Sequence, residues 1–156
     1  LSSIYQNLQK AVHPDKYAHA SQQDQRIAVQ KSAQINDAYQ TLKMPLLRSE
    51  YLLIIRGVDM PNEQKSFSDT GFLMRQMELR EMLEDVKFSD DVDEALSALQ
   101  TELDNEYQQL LCAMQLQIHE NTAESNHLAC DNLRKLKFYQ KLNIEVDRLE
   151  DALFED

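Results

Sequence analysis

The chain has 156 residues, enough for one domain or two small ones, and its two glycines and three prolines exclude a turn-rich β protein. Its net charge of −11 is unevenly spread: residues 1–56 carry seven basic and four acidic residues, a net of +3, whereas residues 57–156 carry nine and 23, a net of −14. That asymmetry fits two units facing different partners, or a merely solvated acidic half, and the lack of a basic stripe with interleaved aromatics argues against nucleic acid.

Leu1, Ile4, Tyr5, Leu8 and Val12 recur at helical spacing and predict a helix over 1–12 with that face buried. The run is already in phase at Leu1, so a preceding segment is expected. His13-Pro14-Asp15-Lys16 then stops the helix. Pro14 fixes its own φ and pushes His13 out of the helical region. Asp15 can accept hydrogen bonds at the turn, with His13 and Lys16 as donors beside it. Tyr17 to Ser21 is a short loop. A second helix is expected over Gln22–Lys43, with Ala28, Ser32, Ile35, Tyr39 and Leu42 inward. The two helices should form an antiparallel hairpin holding a rigid, charged loop at one end. Pro45 ends the second helix. A shorter one over Leu46–Arg56 should turn Leu47, Tyr51, Ile54 and Ile55 inward, with Gly57 as terminator. Residues 57–68, containing Pro61 and Asn62, read as a linker.

Three helices are expected beyond it. The first runs from Asp69 to about Lys87 with Ser68 or Asp69 as cap, and breaks at Phe88-Ser89-Asp90-Asp91. The second, over 91–119, carries the stripe Val92, Leu96, Leu99, Leu103, Leu110, Met114 and Ile118. The third starts near Asn121-Thr122 and carries Leu128, Leu136, Tyr139, Leu142, Val146, Leu149 and Leu153. Short connections imply an antiparallel three-helix bundle over 69–156.

The first bundle helix has two apolar sides. Phe72, Leu79, Leu83 and Val86 form a core stripe, while Leu73, Met74 and Met77 are centred roughly 150° away at 100° per residue. Glu78, Glu81, Glu84 and Asp85 surround the second group. An apolar centre with an acidic rim is what a binding patch looks like, and methionine suits one because it repacks. Periodicity alone leaves a second reading open, in which the helix is buried on both sides. Phe138 likewise reads either as a contact residue beside Arg134 and Lys141 or as partly buried packing. No catalytic constellation emerges: His13 and Asp15 come with no nucleophile. Cys112, Cys130, His119 and His127 match no compact metal motif, so neither metal nor cofactor is expected, and two cysteines without a CxxC fit a reducing compartment.

A His-Pro-Asp loop between two helices resembles the signature of a J-domain, the part of DnaJ-type co-chaperones that docks on a DnaK-type chaperone. The runs QKSAQINDAYQTLKMPLLRSEYLL, FLMRQMELREMLE and RKLKFYQKL resemble the HscB family, the J-proteins of iron–sulfur cluster assembly. The resemblance implies an all-α, L-shaped protein: a J-domain over 1–56 lacking its first helix, and a client-binding bundle over 69–156. It implies a non-enzymatic co-chaperone that brings the scaffold IscU to the chaperone HscA and stimulates its ATPase, promoting cluster transfer. His13, Pro14, Asp15 and Lys16, with Gln9 and Lys10, would dock HscA. Leu73, Met74, Met77, Glu78, Glu81, Asp85 and Phe138 would bind IscU; Met77 stands where leucine is common and Asp85 where glutamate is. The setting implied is the bacterial cytoplasm, with the mitochondrial matrix as the alternative, and neither membrane nor nucleic acid. Two rival readings are a J-protein serving another chaperone and client, and a structural helical adaptor.

Overall fold

The computed structural model describes residues 1–61 and 67–154, and among these every regular element is helical. The chain divides into two compact units, Leu1–Leu52 and Leu53–Asp156. The division falls within a helix, ahead of the expected 57–68 linker, of which residues 62–66 lie outside the described residues.

In the first unit α1 (Ser2–Val12) and α2 (Gln22–Lys43) flank a 3₁₀ turn at Pro14–Tyr17. Ser21 caps α2: its hydroxyl oxygen accepts from the Asp24 amide at 3.1 Å and its hydroxyl donates to the Asp24 carboxylate at 2.6 Å. The helices run antiparallel, joined by polar and aromatic contacts rather than an aliphatic core. Tyr5 stacks on Tyr39 with centroids 4.0 Å apart, and its hydroxyl donates to Asn36 at 2.6 Å. Such an aromatic pair contributes about 0.5–1.5 kcal/mol beyond its buried area.

Two expectations about buried faces fail here. Leu1, Ile4 and Leu8 of α1 are exposed, and Tyr5 and Val12 are only half-buried. Among the described residues α1 packs chiefly on α2, and a pair of helices with one side uncovered leaves such a stripe in solvent. In α3 (Pro45–Ile55), Leu47, Tyr51, Ile54 and Ile55 are exposed, and the buried positions are Leu46, Ser49 and Leu53. Apolar residues surround this short helix, so periodicity did not fix its phase; Ser49 marks the inner side because it is small.

The second unit contains α4 (Thr70–Asp85), a 3₁₀ turn at Val86–Phe88, α5 (Val92–Glu120) and α6 (Ala123–Phe154). Side chains close the helix starts. Asp69 accepts from the Phe72 amide at 3.0 Å and Asp91 from the Glu94 amide at 2.9 Å, while Thr122 and Ser125 cap each other's amides at 3.0 and 2.8 Å. Asn121 takes the left-handed conformation that terminates α5, and Arg56 donates to the orphan Ile118 carbonyl at 2.8 Å.

The core joins Phe72, Leu79 and Val86 from α4, Leu96, Leu99 and Leu103 from α5, and Tyr139, Leu142 and Val146 from α6. These are members of the three expected stripes, and burying each large aliphatic side chain contributes about 1.5–3 kcal/mol. Leu128 is the exception: it is exposed, and α6 enters the core through Ala129, Cys130 and Leu133 instead. The Cys130 thiol there lies 3.5 Å from the Met60 sulfur, a contact with a residue 70 positions away that helical periodicity does not register.

Candidate functional sites on the turn and on the first bundle helix

His13 is extended, with φ −56° and ψ 128°, as a residue before proline must be. Its Nδ1 accepts from the Asp15 amide at 3.3 Å and lies 3.5 Å from the Asp15 carboxylate. The Lys16 amide donates to the His13 carbonyl at 3.0 Å, which closes the turn. Gln25 of α2 ties the loop from below, donating to the Ala18 and Ala20 carbonyls at 3.2 and 3.1 Å. Thus the side chains of His13, Asp15 and Lys16 are presented to solvent from a backbone that is hydrogen-bonded on both sides.

Lys10 is exposed one turn before the loop. Gln9 is placed differently. Its amide donates to the Ser32 carbonyl and to Asn36 at 3.1 and 3.0 Å, and accepts from the Ser32 hydroxyl at 2.9 Å. These bonds make it a strut between α1 and α2.

On α4 the two apolar sides separate. Phe72, Leu79 and Val86 are core; Met74 and Met77 are 64% and 65% exposed, and Leu73 is half-buried. None of the three belongs to the core cluster, so the doubly buried reading of this helix does not hold. Glu78, Glu81 and Asp85 are exposed on the same side.

Phe138 of α6 is half-buried against Phe72, with centroids 5.6 Å apart edge to face, and the Arg80 guanidinium lies 5.8 Å from its ring. It lines a groove with Phe67, Gln76, Arg134, Lys137 and Lys141. Gln76 carries this basic, aromatic groove to the flank of α4, so the structure brings Phe138 beside the helix bearing Leu73. The His13–Lys16 turn belongs to the other unit.

Arg75, which sequence reasoning passed over, sits between Met74 and Met77 in the chain and anchors α4. It donates to Glu106 at 2.6 Å and to Glu78 at 3.1 Å, and also pairs with Glu102; Glu106 in turn accepts from the Tyr139 hydroxyl. The network joins all three bundle helices. The Glu106 carboxylate above all, then Glu78 and Glu102, stabilises the guanidinium charge, while burial and then Glu106 push the Tyr139 phenol well above its ordinary range. The only signal in sequence was the i, i+4 pair Glu102 and Glu106, which no local pattern connects to Arg75. At the start of α4, the Lys135 ammonium 2.6 Å away, and then the Phe72 amide, hold the Asp69 carboxyl below its usual range.

Among the described residues no cluster of His, Cys, Asp or Glu could hold a metal, and no helix is long and apolar enough to cross a membrane.

The HscB C-terminal oligomerisation domain matches residues 68–147. The co-chaperone protein HscB homolog of Colwellia psychrerythraea is 74% identical over all of this chain and 89% of its own length. The chain is also similar to the solved structure of the chaperone HscB from Vibrio cholerae, at 48% identity and a TM-score of 0.92, covering 98% of this chain and 89% of that one. Human co-chaperone HscB is similar at 25% identity and a TM-score of 0.83, over 94% of this chain and 71% of that one. An all-helical chain with a rigid His-Pro-Asp turn, matched over nearly its whole length at these identities, belongs to the HscB co-chaperone family.

Proposed function

We propose that this co-chaperone delivers the iron–sulfur scaffold IscU to the DnaK-type ATPase HscA in the bacterial cytoplasm. The observation that carries this reading is the exposure of Met74 and Met77 inside the acidic rim of Glu78, Glu81 and Asp85, on the helix face that the HscB resemblance assigns to client binding. Two large thioethers left in water on an otherwise well-packed bundle helix are the adaptable apolar centre of a protein interface. Leu73 supplies a half-buried anchor, and Phe138 supplies a second contact from α6.

The His13–Lys16 turn is the element that engages the chaperone. Its side chains are presented by a backbone already tied to α2, so little ordering entropy is lost on docking. Lys10 adds positive charge on the preceding turn, and Gln9 holds the hairpin that presents it. The co-chaperone transfers no group itself. By presenting the client while it engages the ATPase, it couples hydrolysis to a tighter hold on IscU, which favours release of the cluster to an acceptor.

The test is steady-state ATP hydrolysis by HscA, measured with this protein alone, with IscU alone and with both. Stimulation by the protein and a further, more than additive rise with IscU are expected. Stimulation that IscU does not alter would mean another client, and no stimulation would mean that the turn serves only as a helix cap.

A further inference from the structure

The α4 face does not end at Asp85. Val86–Phe88 continues as a 3₁₀ turn, closed by the Ser89 amide donating to the Val86 carbonyl at 3.3 Å, so the chain winds on for another turn before it leaves. With about 100° per residue in α4 and about 120° in the 3₁₀ turn, Phe88 comes round to within roughly 30° of Met74, Glu81 and Asp85. It is 85% exposed, more than any other large hydrophobic residue of the described chain.

One exposed phenylalanine alone means little. Two further observations give this one a partner. The ring itself lines a shallow groove, with Asp85 and Ser89 at its polar edge and Met82, Val86, Ala95 and Leu99 giving it apolar surface toward α5. Its surroundings are strongly acidic: residues 81–94 contain seven carboxylates and a single base, Lys87. An aromatic ring beside an apolar groove, within a field of carboxylates, fits an apolar side chain flanked by lysines or arginines.

We infer that Phe88 is a further client-contact residue, extending the Met74–Met77 face along α4 to a basic patch on the same client surface. This rests on the reading of α4 as the client-binding face. A client reaching from Leu73 to Phe88 follows roughly 22 Å of helix, a span that a standard interface covers.

The experiment is calorimetric titration of IscU into the wild-type protein and into Phe88→Ala, Phe88→Leu and Met74→Ala/Met77→Ala variants, at two salt concentrations, each with a thermal melt. Phe88→Ala is expected to bind about tenfold more weakly at unchanged Tm, and Phe88→Leu to recover most of the loss. Wild-type affinity should fall as salt rises. Hydroxyl-radical footprinting of the wild-type complex is an independent check, in which oxidation of Phe88 should be suppressed by IscU. Wild-type affinity in Phe88→Ala, or undiminished oxidation of Phe88 in the complex, overturns this inference if the methionine variant is still weakened. Unchanged affinity in the methionine variant as well would overturn the client-face reading itself.

Discussion

The Tyr139 hydroxyl donates to Glu106, and the other oxygen of that carboxylate accepts from Arg75 at 2.6 Å, so one acidic side chain on α5 links α4 to α6. The side chains of Arg75 and Glu106 are only about a quarter exposed, at 25% and 27%. A pair screened from water to that extent is worth more than a surface ion pair. In a double-mutant cycle, Arg75→Met and Glu106→Gln should show a coupling of about 1–2 kcal/mol by denaturant unfolding. A coupling near zero would make the network a surface decoration. Tyr139 adds a pH signature. Its phenol is raised by burial and by Glu106, so the unfolded chain loses this proton first as pH passes about 10. The stabilisation is therefore complete below that pH and is lost as pH rises toward the folded value. Wild type should lose stability in alkali faster than Tyr139→Phe, which has no proton there to release.

Asp69 does two things at the start of α4: one oxygen caps the Phe72 amide at 3.0 Å and the other meets Lys135 at 2.6 Å. Its folded-state pKa is lowered, by Lys135 first and the Phe72 amide second. The stabilisation is thus present above the unfolded carboxylate pKa and disappears as pH falls through the folded one. Asp69→Asn keeps a capping oxygen but cannot keep the ion pair. Its Tm should sit below wild type at neutral pH and converge with it in acid. A gap that persists unchanged into strong acid would show that the ion pair contributes nothing.

The legibility of the chain was uneven, for physical reasons. Pro14 and the flanking helical phases made the turn readable, because a proline acts on its own backbone and its neighbour's. The α4 core stripe was readable because Phe72, Leu79 and Val86 repeat with the helix. Whether Met74 and Met77 faced water was not, since a second apolar side looks the same in sequence whether or not another helix covers it. The phase of α3 was misread because Leu46 and Leu47 are equivalent by composition, and only tertiary packing buries the first and exposes the second. Gln9 and Arg75 escaped a structural assignment for a related reason. Their partners lie 23 and 31 residues away, and a polar residue on a helix carries no mark of what it will meet.

The turn should carry chaperone activation and little stability. His13 is exposed, and its hydrogen bond to the Asp15 amide is a long one at 3.3 Å. His13→Gln keeps an acceptor and a comparable length, so the helical circular dichroism should be unchanged and the unfolding free energy should stay within about 0.5 kcal/mol of wild type. Stimulation of HscA should nevertheless be abolished. Undiminished stimulation by a well-folded His13→Gln protein would remove the docking role from this loop.

The α4 face gives the most discriminating prediction because its three apolar residues are not equally placed. Met74 and Met77 are mostly in solvent and are not members of the core cluster, so replacing both by alanine removes little buried volume and adds helix propensity. That double variant should melt with wild type. Leu73 is half-buried, so adding Leu73→Ala should cost about 1 kcal/mol, well short of the roughly 3–5 kcal/mol of a fully buried leucine. Binding of the triple variant to IscU should weaken by about 2–4 kcal/mol, as when clustered hot-spot side chains are truncated. Direct stimulation of HscA should survive, since the His13–Lys16 turn is untouched, while the extra stimulation conferred by IscU should disappear. Melting curves read beside the IscU titration separate the causes. A collapse in Tm for Met74→Ala/Met77→Ala would mean the methionines are structural, and wild-type IscU affinity in a stable triple variant would move the client to another surface.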